Sequence, residues 1–379
     1  MKAARELRGC RIGDEQGGRH ESRRVVVAGK STAGARGTAT FVSEMTTESS
    51  TLATDPNDPL FSLSVDDGAG ALLAAAAGDV AGGADKTSYS AITQASTILA
   101  YHLLIHGEVD RDVLARGFAE LAGAEDGRYT YRAPSAAFDE WLKSSLRGSP
   151  TVSSLASSEP AARVTAIGVF HRRNPEVLVA SAVNSARVTH LDASSAVAAA
   201  AVAGAVAGSC FVQAGADLVF GAAETAERAL RIIEDEPYRF GDVNAAASVP
   251  ALLRTFAPVA SREPDDIVMA VCSDKPVDGV TGAILGVVLG ANKLTDPVKL
   301  IEVAALTGGS EAGSVTGGVV GARSGLVRWP WRVHNDTWFA EIGRRLVSRN
   351  AEVRDLPIPY AVEERMLMAA RTKASEETI

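Results

Sequence analysis

The feature that most constrains the fold is an uncharged run of twenty residues, from residue 193 to residue 212. Its length suits a membrane-spanning helix, which needs about 20 predominantly apolar residues. However, the run is mostly Ala, Gly and Ser, and it lacks the basic flanks and aromatic anchors typical of a span. A helix that is apolar on all sides is also expected at the centre of a large helical core. We therefore predict a buried central helix.

The composition agrees with a body of closely packed helices. Aromatic residues make up only 5% of the 379 residues, and the chain carries 35 glycines. The net charge of −8 argues against a general surface for nucleic acid or anionic membranes. The three cysteines, Cys10, Cys210 and Cys272, are too few and too scattered for a disulfide framework and fit a reducing compartment. We expect a cytoplasmic, all-α protein that binds neither nucleic acid nor membranes.

The chain divides into three segments. Residues 1–60 are rich in Arg, Gly and polar residues and predict a disordered leader and linker, for which Met45 is an alternative start. Residues 61–346 predict the helical domain, and residues 347–379 a C-terminal extension.

Local signals place the first helices of this domain. An Ala-rich helix over residues 68–82 is closed by glycines. In the next helix, apolar residues recur at spacings of three and four: Ile92, Ala95, Leu99 and Leu103. Ser90 suits its N-cap, Gly107 its C-terminal stop, and Asp110 the N-cap of a third helix.

Several of these segments resemble the ADP-ribosylglycohydrolase family. Residues 89–94 read Tyr-Ser-Ala-Ile-Thr-Gln, where the family's first metal-binding helix opens Tyr-Thr-Asp-Asp-Thr-Gln. The pair Gly78-Asp79, the segment 163–169 and Thr189-His190-Leu191-Asp192 resemble further family motifs. The resemblance covers roughly residues 61–346 and implies a compact, orthogonal bundle of many helices.

The resemblance also implies a Mg²⁺ site, whose ligands this chain does not keep. In the family, carboxylates help to hold two Mg²⁺ ions that bind the ribose hydroxyls and orient a water. Ala91 and Ile92 stand in place of the two aspartates. Two segments compete for the family's second motif, Gly-Gly-Asp-x-Asp-Thr/Ser. Residues 272–282 lie at the expected distance after the preceding helix, whereas the residues that follow 308–314 agree better with the family's closing segment. Neither segment has the paired aspartates.

The resemblance nominates a small set of site residues. Ser90, Thr93, His190 and Asp192 are the candidate ligand-binding residues, and Asp79 and Asp278 are the candidate catalytic acids. We predict no metal ligand. A single His-x-Asp motif is more often a structural hydrogen-bonding pair than a ligand set, so a structural role for His190 and Asp192 stands beside the binding role.

Three functions follow from these residues. The first, which we favour, is a family member without catalysis that binds ADP-ribose, an ADP-ribosylated protein or another protein partner in the former active-site cleft. The second is a hydrolase of ADP-ribosyl N- or O-glycosidic bonds with a rebuilt metal or acid centre, using acids such as Asp79, Asp192, Asp274 or Asp278. The third is a structural or interaction protein without a small-molecule site.

Overall fold

The computed structural model describes residues 64–84, 86, 88–122, 131–211, 213–236, 240, 243–273, 277–353 and 355–356. Across these residues it contains helices and turns but no β-strand; Ser153 and His190 form an isolated bridge. The all-α prediction is confirmed. The predicted leader, most of the predicted C-terminal extension and Asp274 lie outside the described residues.

The helices follow one another along the chain in this order: α1 (Val65–Gly82), α2 (Ala91–His106), α3 (Arg111–Ala122), α4 (Ala136–Leu146), α5 (Glu159–Ala162), α6 (Thr165–Phe170), α7 (Pro175–Arg187), α8 (Ala193–Ser209), α9 (Gly215–Asp235), α10 (Val243–Ala246), α11 (Ser248–Phe256), α12 (Pro264–Cys272), α13 (Thr281–Ala291), α14 (Pro297–Ser324) and α15 (Asp336–Ser348). A short 3₁₀ helix (Ala257–Val259) follows α11.

The predicted helix boundaries are largely confirmed by the capping geometry. The Ser90 hydroxyl accepts a hydrogen bond from the Ile92 N–H, and Gly107 ends α2 in the left-handed conformation. Asp110 accepts two backbone hydrogen bonds at the start of α3. The first helix begins three residues earlier than predicted, at Val65, because the Ser64 hydroxyl caps it.

Helices α1 and α14 run antiparallel at unusually close range. A Cβ atom added to Gly78 would lie 2.0 Å from the Gly313 carbonyl oxygen, and one added to Gly317 would lie 2.0 Å from the Ala74 carbonyl oxygen. Only glycine allows two backbones to approach so closely. The glycines of these two helices therefore set the separation of the central pair.

The uncharged run forms α8, and it is buried. Nearly every side chain from Ala193 to Ser209 is shielded from solvent, and α8 contacts α5, α6, α7, α9, α13 and α14. The prediction of a buried central helix is confirmed. No helix in the described part of the chain is long and apolar enough to cross a membrane.

Candidate functional site

The carboxylate of Asp79 holds the end of α1 against the start of α2. Its Oδ2 accepts hydrogen bonds from the Ser90 N–H at 2.9 Å and the Ser90 hydroxyl at 3.0 Å. It also accepts the Thr93 N–H at 3.2 Å and the Thr93 hydroxyl at 2.7 Å. Asp79 is wholly buried, and this burial raises the pKa of its carboxyl against the opposing effect of these hydrogen bonds.

The kink of α14 brings a third segment to the same place. Gly308 and Gly309 have non-helical backbone angles, and Gly309 has a φ of 64°. The helix resumes at Ser310, whose hydroxyl donates to the Asp79 backbone carbonyl at 2.9 Å. The second of the two glycine-rich segments, residues 308–314, therefore lies beside residues 90–93.

These segments surround a cavity of about 730 Å³. Its lining comprises residues 82–84, 88–92, 132, 133, 135, 159 and 308–311. Ala91 and Ile92 contribute apolar surface, whereas Ser90, Ser135 and Ser310 contribute hydroxyl groups. Thr93 and Asp79 do not line it and support its wall from behind.

Glu159 and Arg163 form a buried ion pair at this cavity. Glu159 lines the cavity and its Oε1 lies 3.6 Å from an Arg163 nitrogen, while its other oxygen accepts the Ser135 hydroxyl. Arg163 is fully buried and also donates to the Ser185 carbonyl and to the Thr189 hydroxyl. Burial raises the pKa of Glu159, and the Arg163 charge opposes that shift.

Glu311 is the second carboxyl group of the cavity. It makes no hydrogen bond or ion pair with the described residues. Burial, together with the nearby charge of Glu159, raises the pKa of Glu311 to about 7. This side chain therefore changes its charge close to neutral pH, which a solvated glutamate does not do.

His190 and Asp192 lie behind the cavity wall and do not line it. His190 is fully buried, its Nδ1 lies 2.9 Å from the Thr189 hydroxyl, and burial lowers its pKa to about 3. Asp192 caps α8 by accepting the Ser195 N–H and hydroxyl. The Ser195 hydroxyl in turn accepts the Ser157 N–H at 2.9 Å, close to Glu159. Asp192 thus acts at the start of α8 and, through Ser195, holds the approach to α5.

Asp278 lies outside the lining of the cavity. Its residue is exposed, and its backbone carbonyl accepts the Thr281 N–H at the start of α13. The neighbouring Gly279 carbonyl accepts the Ser158 hydroxyl at 2.8 Å, which joins this turn to the start of α5. The first glycine-rich segment therefore braces the cavity wall.

Comparison with known proteins decides the family. The profile of the ADP-ribosylglycohydrolase family matches residues 62–355. The chain belongs to the ADP-ribosylglycohydrolase family. One similar solved structure is described as an ADP-ribosylglycohydrolase-related protein complex; it is 18% identical with a TM-score of 0.47, and the match covers 76% of this chain and 98% of that chain. No curated protein matches the chain significantly.

The described lining of the cavity holds two carboxyl groups, those of Glu159 and Glu311, and no aspartate. Mg²⁺ prefers carboxylate and other oxygen ligands in near-octahedral geometry. Ala91 and Ile92 offer it no oxygen, and Glu159 is already paired with Arg163. Among the described residues, no three His, Cys, Asp or Glu side chains group closely enough to hold a metal ion.

Sequence reasoning missed part of this ADP-ribosylglycohydrolase cavity. Glu159 lies four residues before the segment 163–169 that resembles a family motif, and no local pattern marks it as a cavity residue. Its partner Arg163 belongs to a recognisable motif, but nothing local shows that the two are buried together. Arg132 also lines the cavity, and its guanidinium lies 5.6 Å from the centre of the Tyr89 ring.

Proposed function

We propose that this ADP-ribosylglycohydrolase family member is catalytically degenerate and binds an ADP-ribose-like ligand in the cavity without Mg²⁺. One observation carries the proposal: the start of α2 and the kink of α14 frame one cavity, and Ala91 and Ile92 line it where the family places aspartates. The cavity of a ligand site is present, but the side chains at these two positions cannot bind Mg²⁺.

The size and chemistry of the cavity support a small polar ligand. Pockets for small molecules commonly span about 300–1,000 Å³ and combine apolar walls with a few placed polar groups. Here Ala91 and Ile92 supply apolar contact, and the carboxyl groups of Glu159 and Glu311 supply hydrogen-bond acceptors. Sugar hydroxyls are donors that such acceptors bind.

Calorimetry with ADP-ribose in EDTA tests the proposal. We expect saturable binding that is at least about tenfold weaker in Glu311→Gln, because that variant loses a charged acceptor. Glu302→Gln is the matched control, since Glu302 is exposed on the same helix and does not line the cavity. A chain that does not bind ADP-ribose would contradict the proposal and favour a structural or interaction protein.

A hydrolase with a rebuilt acid centre is the second candidate, and Glu311 is the observation that favours it. A carboxyl group with a pKa near 7 can donate a proton to a leaving group, and glycosidases pair such an acid with a second carboxylate. Glu159 is the carboxylate that shares the cavity with it. The acids named from the sequence suit this role less, because Asp79 is enclosed by Ser90 and Thr93.

Release of ADP-ribose from modified Arg or Ser peptides separates the two functions. The binding proposal predicts no release by the wild-type protein in EDTA or in Mg²⁺. Release that is abolished in Glu311→Gln and retained in Glu302→Gln would establish the acid centre instead. Both variants need unchanged melting curves for this comparison.

A further inference from the structure

A second cavity, of about 700 Å³, lies in the connection between α14 and α15. Residues 327–336 line it, together with Leu73 on α1. It shares no lining residue with the cavity beside Asp79. The proposed function makes no use of this connection.

Two unpaired arginines face this cavity. Arg328 and Arg332 are exposed, and neither makes a hydrogen bond or an ion pair in the part of the chain that the structure describes. The one carboxylate of the lining, Asp336, accepts the Thr337 N–H at 2.7 Å at the start of α15. These two guanidinium groups, without acidic partners among the described residues, place positive charge on the lining.

Two tryptophans, Trp329 and Trp331, lie between these arginines in the sequence and line the same cavity. Trp329 is only 8% exposed, lines the cavity, and has an indole N–H without a hydrogen-bond partner. This nitrogen is closed off from the cavity, so Trp329 contributes ring surface to the lining rather than a donor. Trp331 is half-buried in the same lining and offers a flat apolar surface.

The backbone holds this arrangement in place. Pro330 separates the two tryptophans and fixes its own φ angle. Val333 is buried in the core, and Asn335 adopts a φ of 61° as α15 begins. These two residues anchor the C-terminal end of the segment, and Val327 packs against the core at its start.

The lining favours one class of ligand. Guanidinium groups only donate hydrogen bonds, so they require an acceptor-rich partner, and arginine binds phosphate through two parallel bonds. An indole ring stacks on a planar ring. We propose that Arg328, Arg332 and Trp331 form a site for a phosphate group carried on a planar ring, the chemistry of a nucleoside monophosphate.

Calorimetry with AMP, inorganic phosphate and adenosine as separate probes tests this site. AMP binds tighter than either phosphate or adenosine if the phosphate and the ring are both recognised. The double variant Arg328→Gln/Arg332→Gln then weakens AMP binding at least about tenfold. Trp331→Ala removes the advantage of AMP over inorganic phosphate.

Two control variants locate the binding. Arg116→Gln changes an exposed arginine of α3 and leaves AMP affinity unchanged. Glu302→Gln changes an exposed residue outside both linings and also leaves AMP affinity unchanged. The effect of the double arginine variant on AMP is therefore separate from the effect of Glu311→Gln on ADP-ribose. The proposal is overturned if AMP does not bind, if adenosine binds as tightly as AMP, or if the double arginine variant, folded by its melting curve, binds AMP like the wild type.

Discussion

The Asp79 carboxylate and the Thr93 hydroxyl lie 2.7 Å apart, and this bond ties α1 to the first turn of α2. The same carboxylate oxygen takes three further donors, from Ser90 and from the Thr93 backbone. Oδ2 is therefore saturated by donors, whereas Oδ1 is buried without a hydrogen-bond partner among the described residues. Through Oδ2, Asp79 supports the part of the cavity wall that Ser90, Ala91 and Ile92 line.

Thr93→Val tests this support. The substitution keeps the shape of the side chain but removes the donor with the shortest bond to a buried carboxylate. We expect the free energy of unfolding to fall by about 1–3 kcal/mol, the range for a hydrogen bond to a charged or buried group. Chemical denaturation measures the change. Thr337→Val, at an exposed position of α15, should leave stability nearly unchanged; equal losses in the two variants would contradict the supporting role.

Glu311 predicts a pH-dependent stability. Its pKa is raised from 4.5 to about 7, so the folded state binds the proton more tightly than the unfolded state. The stabilising effect of the protonated form is therefore present below about pH 4.5 and is lost as the pH rises through about 7. We expect the wild type to lose about 1–3 kcal/mol across this window from this one group.

Glu311→Gln provides the comparison for that loss. The amide cannot ionise, so the variant should gain stability relative to the wild type as the pH rises from 5 to 8. Denaturation curves at several pH values measure the difference. A constant difference between the two proteins over this range would contradict the environment assigned to Glu311.

The close contact of α1 with α14 predicts that alanine destabilises the protein at Gly317 but not at Gly221. In Gly317→Ala the new methyl group would meet the Ala74 carbonyl oxygen at 2.0 Å, so the two helices must separate. We expect a loss of about 1–3 kcal/mol or more, as for other overpacked cores. Gly221→Ala is the control, because its nearest neighbour is 3.8 Å away and alanine favours the helix. Comparable melting temperatures for both variants would contradict the close packing.

Restored carboxylates test the match to the family's first metal motif. Ala91→Asp/Ile92→Asp places carboxylates on the cavity lining at the positions where the family has them. We expect this variant to gain Mg²⁺ binding by calorimetry. Ser88→Asp adds a carboxylate elsewhere on the same lining and should not bind Mg²⁺ equally well. Equal Mg²⁺ affinity of the two variants would contradict the match.

The helices could be predicted from the sequence because their start and stop signals are local. Ser90, Gly107 and Asp110 act within a turn of their own helix, so their capping roles depend on neighbours in sequence. The uncharged run was equally informative, since only burial suits a helix without a polar face. The prediction for α1 began at residue 68 and did not include the cap at Ser64, so its start was placed three residues late.

The site was harder to predict from the sequence because its contacts join distant parts of the chain. Two glycine-rich segments competed on sequence, and only the contact of Ser310 with Asp79 places one of them beside α2. The place of Glu159 in the cavity became clear only from its buried contacts with Arg163 and Ser135. The roles of His190 and Asp192 as ligand-binding residues stay predictions, although their contacts are structural.

The most direct test of the central claim compares ADP-ribose binding in EDTA and in excess Mg²⁺ by calorimetry on the wild-type protein. A cavity in which Ala91 and Ile92 replace the metal-binding aspartates should bind ADP-ribose with the same affinity in both buffers. An affinity that rises with Mg²⁺ and falls again on chelation would show that the chain still uses the metal and would contradict the account.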